Sequence, residues 1–343
     1  MHFRQLHMLT LSYSHYIFRF LRTVSFFKLW NYFLLRFGFY LSQIIRRPVQ
    51  LGLPAFLSAE PTTVCNLKCP ECPSGLRAFS RPTGTMDMPM FQQLIDEAHR
   101  HIFYLLVYFQ GEPYLNPNFS QMVAYARKKR VFTATSTNGH YLTERYARLT
   151  VESGLDELII SLDGTDQDTY SRYRRGGDLN KVLDGIKTLV RVRKELGVHH
   201  PFINLQFIVM KQNEHQISEF RQLAAELGVD RAVIKTAQIY SEKDNNNILP
   251  DGSKYARYYR KADGSLSRSK PVRNRCWRMW NGAVVTWDGR MVPCCYDKDA
   301  TYQMGRIGEV SLKSIWMGEA YRTFRAQILK NRSVYDICLN CGE

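Results

Sequence analysis

The chain has 343 residues, of which 45% are hydrophobic and 23% charged, so it can bury a sizeable core and is too apolar to be disordered. Its formal net charge of +16 favours anionic partners. The basic residues are not gathered in runs and no recognition motif accompanies them, so we expect no nucleic-acid partner.

Residues 1–54 form a basic, aromatic-rich segment, and the first acidic residue of the chain is Glu60. No uncharged apolar run in the segment reaches the roughly 18–20 residues of a membrane span. No apolar core is followed by the small-residue cleavage site of a signal peptide. We therefore predict an N-terminal helical extension. Two interpretations stay open: helices that pack on the main domain or on a second subunit, and helices that lie in a membrane interface.

From about residue 55 a strand-and-helix alternation repeats six times. The predicted strands are Ala55–Glu60, Ile102–Phe109, Val131–Thr137, Glu157–Leu162, Phe202–Met210 and Arg231–Ile239. The predicted helices between them are Phe91–Arg100, Phe119–Lys129, Leu142–Ser153, Leu179–Leu196 and Ile217–Leu227. This alternation predicts parallel strands joined by right-handed crossovers, and six units predict an open, partial barrel over residues 55–243.

Polar motifs follow several of these strands. The second strand runs into Gln110-Gly111-Glu112-Pro113, the third into Thr137-Asn138-Gly139 and the fourth into Ser161-Leu162-Asp163-Gly164. Because the carboxyl ends of barrel strands carry the chemistry in such folds, we expect these motifs to share one face.

Residues 244–275 are polar and turn-rich, with Asn245–Asn247, Asp251-Gly252 and Asp263-Gly264, and we predict a linker there. Residues 276–343 then form a predicted small α+β domain. It contains a hairpin in which Asp288-Gly289 is the expected two-residue turn.

Eight cysteines without a secretory signal favour a reducing compartment, the cytoplasm. They fall into two groups: Cys65, Cys69 and Cys72, and Cys276, Cys294, Cys295, Cys338 and Cys341. The first group is a C-x3-C-x2-C triplet, which can hold three irons of a [4Fe–4S] cube and leave the fourth open to a ligand. Zinc is disfavoured, because it needs four ligands and no fourth Cys or His lies nearby.

The segment Cys65-Asn66-Leu67-Lys68-Cys69-Pro70-Glu71-Cys72 resembles the cluster loop of the radical S-adenosylmethionine (SAM) superfamily, a resemblance that covers about residues 55–343. It implies an α/β fold, a (β/α)6 partial TIM barrel, with SAM bound to the open iron. It also implies that an electron, from a reductant such as ferredoxin or flavodoxin, cleaves SAM to a radical that abstracts hydrogen from a substrate.

Further positions carry the resemblance. Gly111-Glu112-Pro113 resembles the family segment whose glutamate accepts a hydrogen bond from the methionine ammonium of SAM. Asn138, Ser161 and Asp163 resemble the strand-end residues around ribose and methionine. Arg174 is the expected partner of the SAM carboxylate, with Arg172 and Arg175 as rivals. Glu71 departs from the family pattern, which usually has an aromatic residue there.

The second cysteine group, Cys276-x12-Gly289-x4-Cys294 followed by Cys338-x2-Cys341, resembles the SPASM domain or its shortened twitch form. The resemblance implies one auxiliary [4Fe–4S] cluster held by these four cysteines. A structural zinc site is the alternative, and Cys295 is either a free thiol or an alternative ligand. Because the sequence ends two residues after Cys341, we expect no second auxiliary cluster.

The resemblance implies an enzyme that oxidises or cross-links a peptide, protein or small-molecule substrate with help from the auxiliary cluster. The alternative is a non-catalytic iron–sulfur or zinc-binding electron-transfer protein on a barrel scaffold. Gly111-Glu112-Pro113 argues against that alternative, because an electron carrier needs no site for a methionine ammonium. We expect a cytoplasmic protein, at the inner face of a membrane if residues 1–54 bind lipid.

Overall fold

The computed structural model describes residues 2–238, 248–250, 254–262, 266–268, 273–339 and 341. The chain divides into two compact units that interleave along the sequence. The first comprises Met1–Arg19, Cys65–Ala78 and Thr135–Pro271, and the second Phe20–Val64, Phe79–Ala134 and Val272–Glu343. The predicted turns at 245–247, 251–252 and 263–264, and Ile239 of the predicted sixth strand, lie outside the described residues.

Helices and strands alternate over the first six strands, as predicted. The strands are β1 (Phe56–Ala59), β2 (Tyr104–Leu106), β3 (Phe132–Thr137), β4 (Glu157–Ser161), β5 (Phe202–Val209), β6 (Arg231–Thr236), β7 (Tyr258–Arg260), β8 (Leu266–Arg268), β9 (Gly282–Val285), β10 (Arg290–Val292) and β11 (Gly305–Arg306). The helices are α1 (His2–Leu21), α2 (Phe26–Ile45), α3 (Pro73–Leu76), α4 (Met88–Ala98), α5 (Phe119–Lys128), α6 (Glu144–Ser153), α7 (Gln167–Tyr173), α8 (Leu179–Glu195), α9 (Ile217–Glu226), α10 (Arg278–Asn281), α11 (Leu312–Met317), α12 (Glu319–Asn331) and α13 (Asp336–Leu339). Short 3-10 helices cover Pro113–Leu115, Glu214–Gln216 and Arg332–Val334.

In the second unit the strand order is β11-β10-β9-β1-β2-β3. β9, β1, β2 and the start of β3 are parallel, whereas β10 and β11 are antiparallel additions. The pairing of β9 with β1 places Gly282 opposite Phe56, where a Cβ on the glycine would lie 2.7 Å from the Phe56 carbonyl oxygen. The C-terminal segment therefore extends the barrel sheet, which the sequence did not predict.

In the first unit the sheet order continues from the end of β3 to β4, β5 and β6. The last three of these strands are parallel to one another. Leu158, Ile160, Leu205 and Phe207 on these strands are fully buried and form the core of the unit. α8 begins at an N-cap in which the Asp178 side chain accepts from the Lys181 amide. α7 was not predicted, because seven residues are too few to show a clear helical period.

The turn between β9 and β10 differs from the prediction. The Gly289 amide donates to the Thr286 carbonyl at 2.9 Å, so Trp287 and Asp288 are the central residues of the turn. Gly289 follows them with a φ of 84°, a conformation that favours glycine. The predicted two-residue Asp288-Gly289 turn is wrong, because the glycine serves as the extra residue of a longer loop.

The predicted N-terminal helical extension is confirmed as α1 and α2. In the first unit α1 lies against the amino ends of β4 and β5, where Tyr16 donates to Glu157 at 3.0 Å and Arg19 pairs with Asp156 at 2.5 Å. Across the described residues, every helix is too short or too polar to cross a bilayer.

Candidate active site

The first cysteine group lies in the loop after β1, within the first unit. Cys69 is buried at 5% exposure, while Cys65 and Cys72 are half-buried. The loop folds tightly, because the Cys72 amide donates to the Cys69 carbonyl and Cys72 starts α3. Gly75 of α3 packs so closely on the loop that a Cβ there would lie 2.6 Å from the Cys69 nitrogen. The three cysteines thus sit in one compact turn, as ligands of one cluster must.

The described residues include no group of three or more His, Cys, Asp or Glu side chains that could hold a single metal ion. The thiolates of a cubane cluster each bind a different iron, so they need a wider spacing than the ligands of one ion. An all-sulfur set of three, with no histidine or carboxylate among the ligands, fits an iron–sulfur cluster with an open iron.

Arg174, at the end of α7, lies beside this loop. Its Nε and Nη2 atoms both contact Asp163 Oδ2, at 2.7 and 2.5 Å, and its Nη1 atom lies 4.0 Å from Cys69 Sγ. Burial disfavours the charged guanidinium, but Asp163 and Cys69 outweigh it, so the pKa of Arg174 is raised well above its ordinary value. The structure thus brings together three predicted site residues, and Arg174 stays cationic beside the loop. The rival arginines, Arg172 and Arg175, are exposed.

Asn138, which follows β3, reaches the same loop. Its Nδ2 atom donates to Asn66 Oδ1 at 2.8 Å and lies 3.9 Å from Cys65 Sγ. The neighbouring His140 was not predicted as a site residue, although it directly follows the Asn138-Gly139 motif. The Asp178 amide donates to its Nε2 atom at 2.9 Å, so Nδ1 carries the proton and faces Asn138. Burial lowers the pKa of His140, which keeps this neutral form.

Ser161 is the last residue of β4, is 7% exposed and lies opposite Gln206 of β5. Two residues later, Asp163 is fully buried and accepts from the Ile208 amide at 2.7 Å through Oδ1. The side-chain Nδ2 atom of Asn213 also donates to the Asp163 carbonyl at 3.0 Å. Asp163 is therefore fixed from two sides, and its second oxygen is directed at Arg174.

The Gly111-Glu112-Pro113 segment follows β2, in the second unit. Its Glu112 amide donates to the carbonyl of Val64, the residue before Cys65, at 2.8 Å. Gly111 has a φ of 72°, and a Cβ there would lie 2.3 Å from the Thr62 carbonyl oxygen, so only glycine allows this approach. Pro113 begins a 3-10 helix, and the Glu112 carboxylate is buried at 1% exposure. Within the second unit, the segment therefore holds a buried carboxylate on a loop that is hydrogen-bonded to Val64.

The second cysteine group lies within the second unit. Cys276, Cys338 and Cys341 are buried, while Cys294 and Cys295 are half-buried. Burial raises the pKa of the Cys276 thiol to about 11; Arg332 opposes this, and Cys341 and Cys338 add to it. The pKa of the Cys294 thiol is raised well above its ordinary value, by burial first and then by Cys295, Cys276 and Cys341. The four predicted ligands thus share one region of the second unit, where they are buried or half-buried.

Arg332 is a residue of this group that sequence reasoning missed. It is 1% exposed, its side chain bonds to Cys338, and its Nη1 atom donates to the Arg275 carbonyl at 3.1 Å. An iron–sulfur cluster held by four thiolates is anionic, so a buried guanidinium among them balances its charge. A single charged residue in a helical segment gives no signal of this role in the sequence.

Cys295 adjoins Cys294 and also contacts an arginine outside the four predicted ligands. Arg278 Nη1 donates to Cys295 Sγ at 3.7 Å. Both residues, with Phe56, Leu106, Val284 and Cys294, line a cleft of about 80 Å³.

Comparison with known proteins agrees with this arrangement. Residues 59–224 match the Radical SAM superfamily, and residues 276–342 match SPASM, an iron–sulfur cluster-binding domain. The chain is 30% identical over 320 residues to the tungsten-containing aldehyde ferredoxin oxidoreductase cofactor-modifying protein of Pyrococcus furiosus, covering 84% of this chain and 87% of that one.

Two solved structures share the fold. BtrN in complex with AdoMet and 2-DOIA matches with a TM-score of 0.52 and 21% identity, covering 85% of this chain and 94% of that chain. SuiB of Streptococcus suis bound to the precursor peptide SuiA matches with a TM-score of 0.60 and 14% identity, covering 80% and 67%. The predicted (β/α)6 partial barrel with an auxiliary domain is confirmed. The chain belongs to the radical SAM superfamily, uses SAM with a [4Fe–4S] cluster, and carries a SPASM domain for auxiliary iron–sulfur binding.

Proposed function

We propose that the chain oxidises or cross-links a peptide or small-molecule substrate by SAM-dependent radical chemistry, with an auxiliary cluster as electron acceptor. The observation that carries this proposal is the second set of buried thiols around Arg332. Cleavage of SAM needs only the first cluster, so we assign the second to a further electron transfer; the alternative role is to shape the substrate pocket.

At the first site, the proposed cluster ligands are the thiolates of Cys65, Cys69 and Cys72. When bound, the cluster and SAM supply a radical that removes a hydrogen atom from the substrate. Arg174, held by Asp163, offers a fixed cation for the SAM carboxylate. Glu112 offers a buried carboxylate for the methionine ammonium. Asn138 orients the loop through Asn66 and is proposed to contact SAM with Ser161.

At the second site, Cys276, Cys294, Cys338 and Cys341 are the proposed ligands. A substrate that loses a hydrogen atom, then one electron and one proton, has undergone a two-electron oxidation. The electron must leave through an acceptor. Arg332 places positive charge among the thiols, which favours the more reduced state of a bound cluster and so suits electron acceptance.

The first experiment counts clusters and tests SAM cleavage. After anaerobic reconstitution we expect about eight irons per chain, and 5′-deoxyadenosine on addition of SAM and dithionite. Cys69→Ala should abolish 5′-deoxyadenosine formation. Bound zinc with about four irons would refute the auxiliary cluster while leaving the first site intact.

The second experiment separates hydrogen abstraction from oxidation. Candidate peptides and small molecules are screened for those that raise 5′-deoxyadenosine formation and acquire a mass loss of two hydrogens. With such a substrate, Cys338→Ala/Cys341→Ala should still form 5′-deoxyadenosine but lose the oxidised product. Cys295→Ser is the matched control and should keep both activities. An undiminished yield of oxidised product in the double variant would refute the electron-acceptor role.

A further inference from the structure

An unusual stripe of side chains runs along the outer side of α2. Its members are separated by four, three, four, three and four residues, which matches the 3.6-residue period of a helix and places them on one side. They are Phe26, Trp30, Phe33, Phe37, Tyr40 and Ile44, and each is between 51% and 77% exposed. Trp30, Phe33 and Phe37 stack in sequence, with ring centroids 5.4 and 6.2 Å apart.

Polar residues on the opposite side of α2 anchor the helix to the rest of the unit through hydrogen bonds. Lys28 Nζ donates to the Arg130 carbonyl at 2.8 Å. The Asn31 side chain exchanges two hydrogen bonds of 2.8 Å with the backbone of Leu53. Because these buried groups would lose their partners if the helix rotated, the outward direction of the aromatic stripe is fixed.

The stripe is large for a surface left in water. Six large side chains at about half exposure present on the order of 600 Å² of apolar surface, at the upper end for the largest patch of a typical monomer. Burying it would bring a favourable free energy that the isolated chain does not gain. We therefore expect the stripe to be covered by a binding partner.

The charges around the stripe indicate which partner. Residues 1–59 include no acidic residue, and Arg22, Arg46 and Arg47 are exposed just beyond the two ends of α2. Tryptophan and tyrosine are the residues that favour the boundary between lipid and water. We propose that the outer face of α2 docks in the plane of an anionic phospholipid membrane, with the aromatic stripe among the acyl chains and the three arginines at the headgroups.

The test uses the full-length, reconstituted enzyme and sedimentation with lipid vesicles. We expect it to bind vesicles of equimolar phosphatidylcholine and phosphatidylglycerol, to bind pure phosphatidylcholine vesicles at least tenfold more weakly, and to lose binding at high salt. Phe33→Glu/Phe37→Glu should abolish binding, and Arg46→Glu/Arg47→Glu should weaken it roughly tenfold or more. Both variants should retain 5′-deoxyadenosine formation, because neither alters the cysteine loop.

Matched controls exclude a general effect of added charge. Val310→Glu/Val334→Glu places two carboxylates on exposed apolar residues elsewhere in the same unit and should leave vesicle binding unchanged. The fluorescence of Trp30, measured as wild type minus Trp30→Phe, should shift to shorter wavelength with anionic vesicles. A wild-type chain that binds no vesicles refutes the proposal. Self-association that Phe33→Glu/Phe37→Glu abolishes, without vesicle binding, would assign the stripe to a second copy instead.

Discussion

The guanidinium of Arg174 lies between Asp163 Oδ2, at 2.5 Å, and Cys69 Sγ, at 4.0 Å. Asp163 also accepts from the Ile208 amide at 2.7 Å, so one buried carboxylate joins β5 and the end of α7 to the cysteine loop. The Arg174 guanidinium can orient a bound anion only if its own position is fixed, and the bonds from Asp163 fix it.

Replacing Asp163 by asparagine should weaken SAM binding. Asp163→Asn keeps an oxygen for the Ile208 amide but removes the negative charge that holds Arg174. A hydrogen bond to a charged group is worth about 1.5–3 kcal/mol, so the SAM concentration for half-maximal 5′-deoxyadenosine formation should rise roughly tenfold to a hundredfold. Iron content should be unchanged, and Arg172→Gln, on an exposed neighbour, should behave as wild type. Parallel loss of iron and activity would instead make Asp163 a residue that shapes the loop.

Replacing Glu112 by glutamine tests the proposed contact to the methionine ammonium. The amide keeps the size of the side chain and removes the charge, so we expect the SAM concentration for half-maximal cleavage to rise roughly tenfold or more. Glu309→Gln, on an exposed carboxylate of the same unit, is the matched control. An unchanged SAM dependence in Glu112→Gln would show that this carboxylate does not contact SAM.

Removal of one partner from the buried ion pair of Glu60 and Arg81 should strongly destabilise the second unit. Their side chains are 0% and 2% exposed and make two parallel bonds of 2.6 and 2.9 Å, and Arg81 also donates to the Lys298 carbonyl. Arg81→Met should lower the free energy of unfolding by about 3–5 kcal/mol, because it leaves a buried charge unpaired. Glu60→Met/Arg81→Met should recover much of this loss in urea unfolding. If the losses of Glu60→Met and Arg81→Met, measured separately, simply added up in the double variant, the pairing would be contradicted.

Lys28 should make stability depend on pH. Burial lowers its pKa from 10.5 to about 8, so between these pH values the unfolded chain binds more protons and stability rises with pH. Below pH 8 the lysine is charged in both states and its burial penalty is complete. Between pH 8 and 10.5 the wild type should therefore gain about 3 kcal/mol in unfolding free energy relative to Lys28→Met. Lys187→Met, on an exposed lysine, should show no such change. Parallel pH curves for wild type and Lys28→Met would contradict the shifted pKa.

Local patterns predicted the strands and the first cysteine loop well. The predicted third strand, Val131–Thr137, begins one residue later in the structure. It could be predicted because a short run rich in β-branched residues between turns is a local signal. At the cysteine loop and at Gly111-Glu112-Pro113, the residue types and their spacing are themselves enough to predict the chemistry. Sequence therefore predicts Cys65, Cys69 and Cys72 as the ligands of the first site, and the structure gathers them in one loop.

Long-range pairs could not be predicted in the same way. Arg332 donates to the carbonyl of Arg275, the residue before Cys276, and nothing near either residue in the sequence indicates the other. The orientation of α2 was equally hidden, because apolar residues occur on both sides of the helix. The usual rule that the polar side faces water fails there, since Lys28 and Asn31 find backbone partners inside.

The placement of α2 would orient the second unit relative to a membrane. α2 contacts Arg130 and Trp280, which lie two residues before the starts of β3 and β9, whereas Glu112 follows the carboxyl end of β2. Because these strands are joined through parallel pairings, α2 and Glu112 lie at opposite ends of them. A bilayer docked on α2 would therefore act as a tether behind the Glu112 loop, leaving that loop to face the aqueous side. Substrate and reductant would then arrive from the water, while the enzyme itself diffused in two dimensions.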